Sequence, residues 1–446
     1  MKILFYSTNS NLFDGNTFKI NTIPSLKTQW EQLCNKYPQH EFIVVTQLPA
    51  MFLLDLENNV VKEPSTKIKY FITRKESPYE IAELIKSYNP DIAISVSFWV
   101  TPYDWLPIND GIISEILQKS GIKTICHSSE LAFDCFDKNR THNLLQTKKY
   151  NIPKAVYVHH ELYWAERNKL EINQNVYKEY IHHKIKNLRF PVVIKDTVGL
   201  SSYGMEVVNS YEKAISFLSS KRNNSDRIIE EYINGLQFGT EIHGTKGKYI
   251  VHNPYLFSVN KYGITSPKQS VKIGPISDKK YKIKQLKKTL NKLAKELNLS
   301  GIAQVDLVFS NDKWYIIEIN TRISGMTPMY ATAQNTTIHS ILTEIALNKL
   351  KKQKLYYTIN FKLPILTEIQ MQLIKNEPCI KYINQIHNLN AKQEREIGYC
   401  EIILGGTKTK QELIEQLNSF FEKYPNLIEP IFAENANKLI QLLGWK

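Results

Sequence analysis

Apolar and polar residues alternate on both sides of a polar tip, Ser310 to Lys313. Both flanks are rich in Val, Ile and Phe, so the pattern predicts a β-hairpin. Because side chains alternate across a strand, Glu318 and Asn320 share one face. A three-residue loop, Asn311 to Lys313, places Asp306 directly opposite Glu318. With a loop of two or four residues, Asp306 would lie on the face of the hairpin opposite to Glu318 and Asn320.

Two carboxylates and one amide oxygen converge in that register. Like charges that face each other are unfavourable unless a cation lies between them. Hard oxygen ligands of this kind suit Mg²⁺ that also binds substrate phosphates. The hairpin therefore predicts a metal site formed by Asp306, Glu318 and Asn320. The alternative is an ordinary half-exposed hairpin whose polar residues face water.

Upstream, an apolar strand from Phe190 ends in Lys195 and continues into a loop with two glycines and two serines. Glycine lets the backbone approach a ligand, and its N–H groups can point at an anion. The pattern favours a loop that closes over phosphates, and a plain turn is the alternative. The loop residues are Gly199, Ser201, Ser202 and Gly204.

The next apolar strand ends in Glu230 and Glu231 and precedes an Asn234-Gly235 turn. Taken alone, two acids at a strand end are as typical of a solvated surface as of a binding site. Nearer the N-terminus, Asp137 has the position of an N-cap for a helix predicted through Lys149. The order of these segments along the chain indicates function more specifically than any one of them does.

That order is a strand lysine, a glycine loop, an acidic strand end and the hairpin with Glu-Ile-Asn-Thr-Arg at 318–322. It resembles the ATP-grasp superfamily, whose members include biotin carboxylase, carbamoyl phosphate synthetase and D-alanine:D-alanine ligase. The resemblance covers residues 130–345 by specific motifs and the remainder by architecture. It implies ATP and two Mg²⁺ or Mn²⁺ ions held by Asp306, Glu318 and Asn320.

The resemblance also implies a nucleotide site. Lys195 would contact the ATP phosphates beneath a flexible lid at 199–204, and Lys138, with Arg140 as the alternative, would be a second ATP-contacting cation. Many members carry glutamate at the position of Gln237, where an amide still accepts a hydroxyl hydrogen bond but adds no charge. The residues implied for the adenine and the sugar are Glu230, Glu231, Tyr232, Ile233 and Gln237.

Most ATP-grasp enzymes phosphorylate a carboxylate and then let an amine attack the acyl phosphate. Catalysis then consists of positioning and charge neutralisation, which the resemblance assigns to Lys195 and Arg322. The arginine resembles the biotin carboxylase branch, and the Ser-Gly-Met-Thr sequence at 324–327 resembles the peptide-forming branch. The residues expected near the substrates are Arg322, Ser324, Gly325 and Glu241, while His243 and His252 either face substrate or are satisfied or surface histidines.

The resemblance therefore implies an ATP-dependent ligase that joins a carboxylic acid, foremost an amino acid, to an amine and releases ADP and phosphate. One alternative is a bicarbonate-activating carboxylase or carbamoyl-phosphate-type enzyme, although nothing in the chain resembles a biotin carrier or a second ATP-grasp repeat. Another is a non-catalytic ATP-binding regulator. Such a regulator is expected to have lost a metal ligand, and all three ligands are present here.

At 446 residues the chain is expected to form two or three domains of a mixed α/β (α+β) fold. Strands alternating with helices predict an open α/β domain at 1–128, and without a G-x-G-x-x-G motif we expect no dinucleotide site there. A two-lobed ATP-grasp core is expected at 129–348. Its stretch 161–189 is interpreted as a surface helix pair or a substrate-covering insertion. A small α+β lobe at 349–446 would serve packing or dimerisation.

The formal net charge of +14 raises the question of nucleic-acid binding. Only eight of the 57 basic residues are arginines, the lysines are scattered, and no nucleic-acid-binding motif accompanies them, which argues against it. Five cysteines without a C-x-x-C pair predict a reduced, cytoplasmic protein. Because no 18-residue apolar run exists, we expect no membrane span. The expected partners are a small acid and a small amine, with a homodimer as a candidate assembly.

Overall fold

The computed structural model describes residues 1–9, 15–98, 105–167, 171–199, 205–260, 269–425 and 427–445. Within these ranges the chain forms three sheets. Their strands are β1 Lys2–Ser7, β2 Phe18–Ile23, β3 Glu41–Thr46, β4 Leu56–Glu57, β5 Val60–Val61, β6 Lys69–Ile72, β7 Ile92–Ser95, β8 Lys123–Ile125, β9 Ala155–Val158, β10 Val192–Asp196, β11 Glu206–Val208, β12 Arg227–Glu231, β13 Leu236–Thr245, β14 Lys248–Val251, β15 Tyr255–Phe257, β16 Ser270–Gly274, β17 Gly301–Ser310, β18 Lys313–Asn320, β19 Tyr357–Leu363, β20 Ile380–Asn388 and β21 Gly398–Thr407.

Helices connect and cover these strands. They are α1 Leu26–Lys36, α2 Pro78–Ser87, α3 Leu106–Lys119, α4 Ser129–Phe136, α5 Lys138–Thr147, α6 His160–Tyr163, α7 Val176–Lys186, α8 Tyr211–Leu218, α9 Ile283–Glu296, α10 Thr327–Ala333, α11 Ile338–Ala346, α12 Glu368–Ile374, α13 Lys410–Lys423 and α14 Pro430–Leu443. None of the described helices is long and apolar enough to cross a lipid bilayer.

The N-terminal sheet has five parallel strands in the order β6-β3-β1-β7-β8. Leu26, Trp30 and Leu33 of α1 pack on one face, and α2 and α3 pack on the other. Strands that are covered on both faces have continuous apolar sequences, as β1 and β3 do. The predicted open α/β layer is therefore confirmed. The strand order reverses between β1 and β7, as in doubly wound folds.

The long sheet contains twelve strands, which come from residues 18–61 and 236–407. Its path runs β18-β17-β13-β15-β16-β19-β21-β20-β2-β4-β5, and β14 pairs with β13. The strand β2, which the sequence pattern did not predict, pairs antiparallel with β20. The C-terminal strands β19 and β21 therefore lie in the same sheet as the predicted hairpin, which is β17 and β18.

The two faces of the long sheet have opposite character. One face packs apolar side chains against α9, α13 and α14, and α9 turns Leu286, Leu290 and Leu293 toward it. Most α9 lysines lie on the exposed side of the helix. The other face lies under α10 and carries most of the polar side chains described below.

A separate sheet of four antiparallel strands, in the order β11-β10-β12-β9, packs on α7 and α8. Residues 232–235 connect β12 of this small sheet to β13 of the long sheet. The connection is tied to the hairpin, because the Ser310 hydroxyl donates to the Asn234 carbonyl at 2.6 Å. A Cβ atom on Gly235 would lie 2.4 Å from the Phe309 carbonyl oxygen, so only glycine fits there.

This close approach predicts that Gly235→Ala destabilises the protein. The new methyl group has to displace the backbone of β17, and overpacking of this kind costs about 1–3 kcal/mol. The free energy of unfolding from denaturant titration measures the effect. The neighbouring exposed residue serves as a control, because Asn234→Ala keeps the carbonyl that accepts from Ser310. Equal stability of the two variants would contradict the tight contact.

Candidate active site

The hairpin turns through two residues rather than three. Ser310 pairs with Lys313, and Asn311 and Asp312 form the loop with φ values of 47° and 61°. Positive φ at both positions is the requirement of a type I′ turn, which Asn and Asp tolerate and which matches the twist of the strands. The predicted three-residue loop, Asn311 to Lys313, is therefore wrong.

A β-bulge restores the predicted pairing of the two acids. Leu307 pairs with Ile316, but Asp306 pairs with Glu318, so Ile317 is an extra residue in β18. A bulge of this kind re-aims the side chains that follow it. The expectation that a two-residue loop would separate Asp306 from Glu318 is also wrong, because the bulge shifts the register by one residue.

Asp306, Glu318 and Asn320 lie together on the polar face of the long sheet, as predicted. Gln304 pairs with Asn320, and its side chain donates to Oδ1 of Asp306 at 2.7 Å. Burial, together with the charge of Glu318, raises the pKa of Asp306 to about 6. The close pair of acids is a repulsive arrangement that a divalent cation relieves.

The donor set fits a magnesium ion that also binds phosphate. No cluster of three or more His, Cys, Asp and Glu side chains suited to a metal ion exists among the described residues. Two carboxylates and an amide cannot complete an octahedral shell, so water or phosphate oxygens must supply the remaining ligands. Mg²⁺ prefers that division of ligands.

Lys195 and Glu230 form a buried ion pair across two strands of the small sheet. Glu230 pairs with Val193, two residues before Lys195, so the two side chains share a face. The Lys195 ammonium donates to Oε2 of Glu230 at 2.5 Å, and both side chains are less than a tenth exposed. The structure thus brings together the residues predicted for the phosphates and for the adenine.

Glu231 faces the opposite side of β12 because side chains alternate along a strand. Its carboxylate accepts a hydrogen bond from the Arg189 backbone N–H at 3.0 Å. Glu231 is therefore not brought together with Lys195 and Glu230. After β12, Tyr232 and Ile233 begin the connection to the long sheet, and the backbone N–H of Tyr232 donates to the Pro191 carbonyl.

Gln237 lies on β13, opposite Val308 and two residues from Gly239, which pairs with Asp306. Because residues two apart share a face, Gln237 lies on the same face of the sheet as the predicted metal ligands. The connection at 232–235 and Gln237 therefore lead from the small sheet toward the metal site. This is the course expected for a nucleotide that spans the two sheets.

Lys138 lies beside the start of the loop that follows Lys195. Its backbone N–H donates to the Thr197 carbonyl at 2.8 Å, and its ammonium donates to the Gly199 carbonyl at 3.2 Å. Asp137 caps α5, as predicted, by accepting from the Arg140 backbone N–H.

The Arg140 side chain pairs with Asp134 and Glu130. Lys138 is therefore the better placed of the two candidate cations. The remaining predicted lid residues, Ser201, Ser202 and Gly204, lie outside the described residues.

The turn after β18 is held by a fully buried acid. Oε1 of Glu241 accepts from Ser324 Oγ at 3.0 Å and from Thr327 Oγ1 at 2.6 Å, and Oε2 lies 2.7 Å from His243 Nε2. Nδ1 of His243 lies 3.0 Å from Nε2 of His252. Glu241 and both histidines are thus satisfied inside the protein, and Glu241 positions Ser324 rather than lining the cleft.

Arg322 projects from the same turn beside the predicted metal ligands. Its Nη2 donates to Oδ1 of Asn320 at 3.3 Å, and its Nη1 donates to the Ile323 carbonyl at 3.1 Å. Gly325 lies against a C-terminal strand, because a Cβ atom there would lie 3.0 Å from Oε1 of Glu401. The predicted substrate residues Arg322 and Gly325 therefore adjoin both the metal site and β21.

Sequence reasoning missed three charged residues of this polar face, Lys272, Lys362 and Glu401. Each is a single charged residue inside an otherwise apolar or neutral strand, β16, β19 and β21. That isolation was the available signal. Lys362 and Glu401 are direct cross-strand partners, and the pairing links residues 39 positions apart.

Comparisons with known proteins agree with this geometry. A family model described as an ATP-grasp domain matches residues 135–326. The D-alanine--D-alanine ligase of Buchnera aphidicola subsp. Schizaphis graminum is 28% identical over 247 residues, which cover 53% of this chain and 76% of that ligase. A carbamoyl-phosphate synthase of Methanobrevibacter smithii is 27% identical over 197 residues, 42% of this chain and 52% of the synthase.

Solved structures share the fold across nearly the whole chain. L-amino acid ligase from Bacillus licheniformis superposes with a TM-score of 0.62 at 13% identity, covering 96% of this chain and 97% of that one. The biotin carboxylase domain of Hydrogenobacter thermophilus 2-oxoglutarate carboxylase, solved with MgADP, ADP and bicarbonate, gives 0.61 at 14% identity, covering 94% and 89%. These likenesses confirm the predicted ATP-grasp fold.

The metal assignment predicts that Glu318→Gln lowers Mg²⁺-dependent ATP turnover by at least about 100-fold. The amide keeps the size of the side chain but removes one negative charge from the site. Asp312→Asn at the exposed hairpin turn is a matched control on the same hairpin and should turn over normally. Steady-state release of ADP measures both variants. If Glu318→Gln matches this control, the metal site lies elsewhere.

Glu241→Gln should stabilise the protein increasingly as the pH rises from about 5 to 8. Burial raises the pKa of Glu241 from 4.5 to about 8, so the folded protein keeps a proton that the unfolded chain releases. The wild type therefore loses stability through this window, at most about 1.4 kcal/mol per pH unit, and glutamine does not.

Melting temperatures of both proteins, measured across this pH range, give the difference. The exposed Glu415→Gln is the control and should show no trend with pH. A difference for Glu241→Gln that stays constant with pH would mean that Glu241 is ionised in the folded protein.

Proposed function

Because the chain belongs to the ATP-grasp family through residues 135–326, we propose that it is an ATP-dependent ligase that joins a carboxylic acid, foremost an amino acid, to an amine. The single observation that carries the proposal is the hairpin register, which sets Asp306 opposite Glu318 and Asn320 beside Arg322. This arrangement supports a cation site and a carboxylate-binding group on one face of the long sheet.

The nucleotide is ATP, and we assign it to the space between the small sheet and the hairpin. Lys195 and Lys138 supply positive charge where the phosphates would lie, and residues 232–235 form the connection that would contact the adenine. Glu230 can accept from an adenine amine in addition to Lys195, because a carboxylate accepts several hydrogen bonds. Gln237 is assigned to the sugar.

Asp306, Glu318 and Asn320 are assigned to two Mg²⁺ or Mn²⁺ ions. When bound, the metal supplies charge neutralisation on the phosphate oxygens. The protein residues then hold the reactants in line. Arg322 has a planar guanidinium that can bind two oxygens at once, so it suits the carboxylate that receives the phosphoryl group.

Ser324 and Gly325 form the wall of the substrate site. Ser324 is fixed by Glu241 and by its position before α10, and its Oγ accepts from the backbone N–H of Met326 at 3.0 Å. Fixed turns of this kind lower the cost of orienting two substrates. The amine would attack the acyl phosphate beside this turn, forming the carbon–nitrogen bond as phosphate leaves.

The reaction products test the proposal. Transfer of the γ-phosphoryl group to a carboxylate predicts release of ADP and phosphate, full rate only with both an acid and an amine, and a hydroxamate when hydroxylamine replaces the amine. A panel of amino acids and small acids with MgATP, followed by chromatography of nucleotides, measures these outcomes. Glu318→Gln enzyme is the control for contaminating ATPases.

Two results would replace the proposal. Release of AMP and pyrophosphate would indicate adenylation of the acid instead of phosphorylation. Turnover with bicarbonate and no organic acid would indicate a bicarbonate-activating enzyme on the same fold. Either result leaves the ATP-grasp assignment of residues 135–326 intact.

A further inference from the structure

The polar face of the long sheet continues past the metal site into the C-terminal strands. Lys272 pairs with Asn360, Lys362 pairs with Glu401, and Glu401 pairs on its other side with Asn384. Adjacent strands lie about 4.8 Å apart, so these side chains form one compact group. We call these five residues the sheet-face cluster.

Several polar atoms of the sheet-face cluster are buried without a hydrogen-bond partner among the residues that the structure describes. They are Oε2 of Glu401, both amide atoms of Asn360 and Nδ2 of Asn384. The three residues are 1%, 0% and 2% exposed. Leaving such a group unpaired inside the protein is unfavourable, and more so for a charge, so it calls for a bound water or ligand.

The cluster adjoins the turn that carries Arg322. The absence of a side chain at Gly325 lets Glu401 approach this turn closely. A Cβ atom on residue 325 would lie 3.0 Å from Oε1 of Glu401. Burial lowers the pKa of Lys362 to about 8; the charge of Glu401 opposes that shift, and the charges of Lys272 and Arg322 add to it. Three cations and one acid therefore act on each other within this group.

The lysines are supported by aromatic rings. Lys362 Nζ lies 4.2 Å from the centroid of the Tyr399 ring, and Lys272 Nζ lies 5.3 Å from that of Phe257. These cation–π contacts stabilise the two ammonium groups in half-buried positions. Charges of both signs, side by side and partly desolvated, match a small zwitterion. An α-amino acid has such a charge pattern, with an ammonium and a carboxylate on one carbon.

We propose that the sheet-face cluster binds the α-amino acid whose carboxylate is activated, with its ammonium group at Glu401 and its carboxylate held toward Arg322 by Lys362. The proposal rests on the ligase function proposed above and adds the residues that select an amino acid over other carboxylic acids. The amide oxygen of Asn360 is a second acceptor for the ammonium group.

Selectivity follows from the burial of Glu401. An acid without an amine leaves Oε2 of Glu401 unpaired inside the protein, and sites built to bind a polar group reject analogues that lack it. An ordered water is the other occupant that this chemistry allows. A water alone predicts no preference for acids that carry an ammonium group.

The test measures binding without turnover, by calorimetry in the presence of MgADP. The probes are the twenty standard L-amino acids and, for each one that binds, the matching des-amino acid and the primary amide. At least one L-amino acid should bind, and its des-amino analogue should bind at least about 30-fold more weakly, since one buried charged pair is lost.

Glu401→Gln should remove this discrimination, so that the amino acid binds no better than the des-amino acid does to the wild type. Glutamine preserves the size of the side chain, and the folded state is checked by circular dichroism and thermal melting. Glu415→Gln, on the exposed side of α13, is the matched control and should bind like the wild type.

Lys362→Gln tests the carboxylate half and keeps the proposal falsifiable if Glu401→Gln does not fold. Wild type should prefer the free amino acid over its primary amide, and Lys362→Gln should lose that preference. Unchanged preference in this variant would contradict the assigned orientation.

The proposal is overturned if no amino acid binds to the wild type, if des-amino acids bind equally well, or if Glu401→Gln binds like the wild type. These outcomes are separable from the fate of the ligase proposal. Release of AMP with intact discrimination by Glu401 would sink the acyl-phosphate route and keep the amino-acid site. Hydroxamate formation, together with a Glu401→Gln variant that binds amino acids like the wild type, would support the acyl-phosphate route and overturn the amino-acid site.

Discussion

The alternation of side chains across the long sheet is the constraint on which the site depends. In β17, Ala303, Val305 and Leu307 lie in the apolar core, and the residues between them, Gln304 and Asp306, face the other side. The same division holds in β13, β16, β19 and β21. A slip of one residue would exchange the two sets in a strand. Burial of the apolar residues therefore also holds the functional residues in place.

The hairpin shows how much of the structure a local sequence pattern can predict. Alternation, composition and the polar tip were enough to predict both strands and the pairing of Asp306 with Glu318. The route to that pairing was wrong, because the loop has two residues and Ile317 bulges. An isoleucine among isoleucines gives no sign of a bulge in the sequence. The two departures from the prediction cancel, since each shifts the register by one residue.

Helix boundaries were predictable where a cap is encoded locally. Asp137 before α5 and Thr409 before α13 both accept from a backbone N–H in the first turn. Contacts between distant segments were not predictable. The pairing of β2 with β20 and of Lys362 with Glu401 depends on the order of strands in the sheet, which no local pattern encodes. For this reason the sequence predicts only packing or dimerisation for the C-terminal strands, although Glu401 of β21 lies against the turn that follows Arg322.

The site consists of charges that the protein compensates to different degrees. Lys195 has a full partner in Glu230, Asp306 lies against another acid, and Glu401 has one oxygen without a partner in the described part of the chain. The two imbalances match different ligand chemistries: a divalent cation at the paired acids and an ammonium group at Glu401. An apolar replacement would be cheaper at every one of these positions. Their presence in the small sheet and on the polar face of the long sheet is best explained by ligands that complete them together.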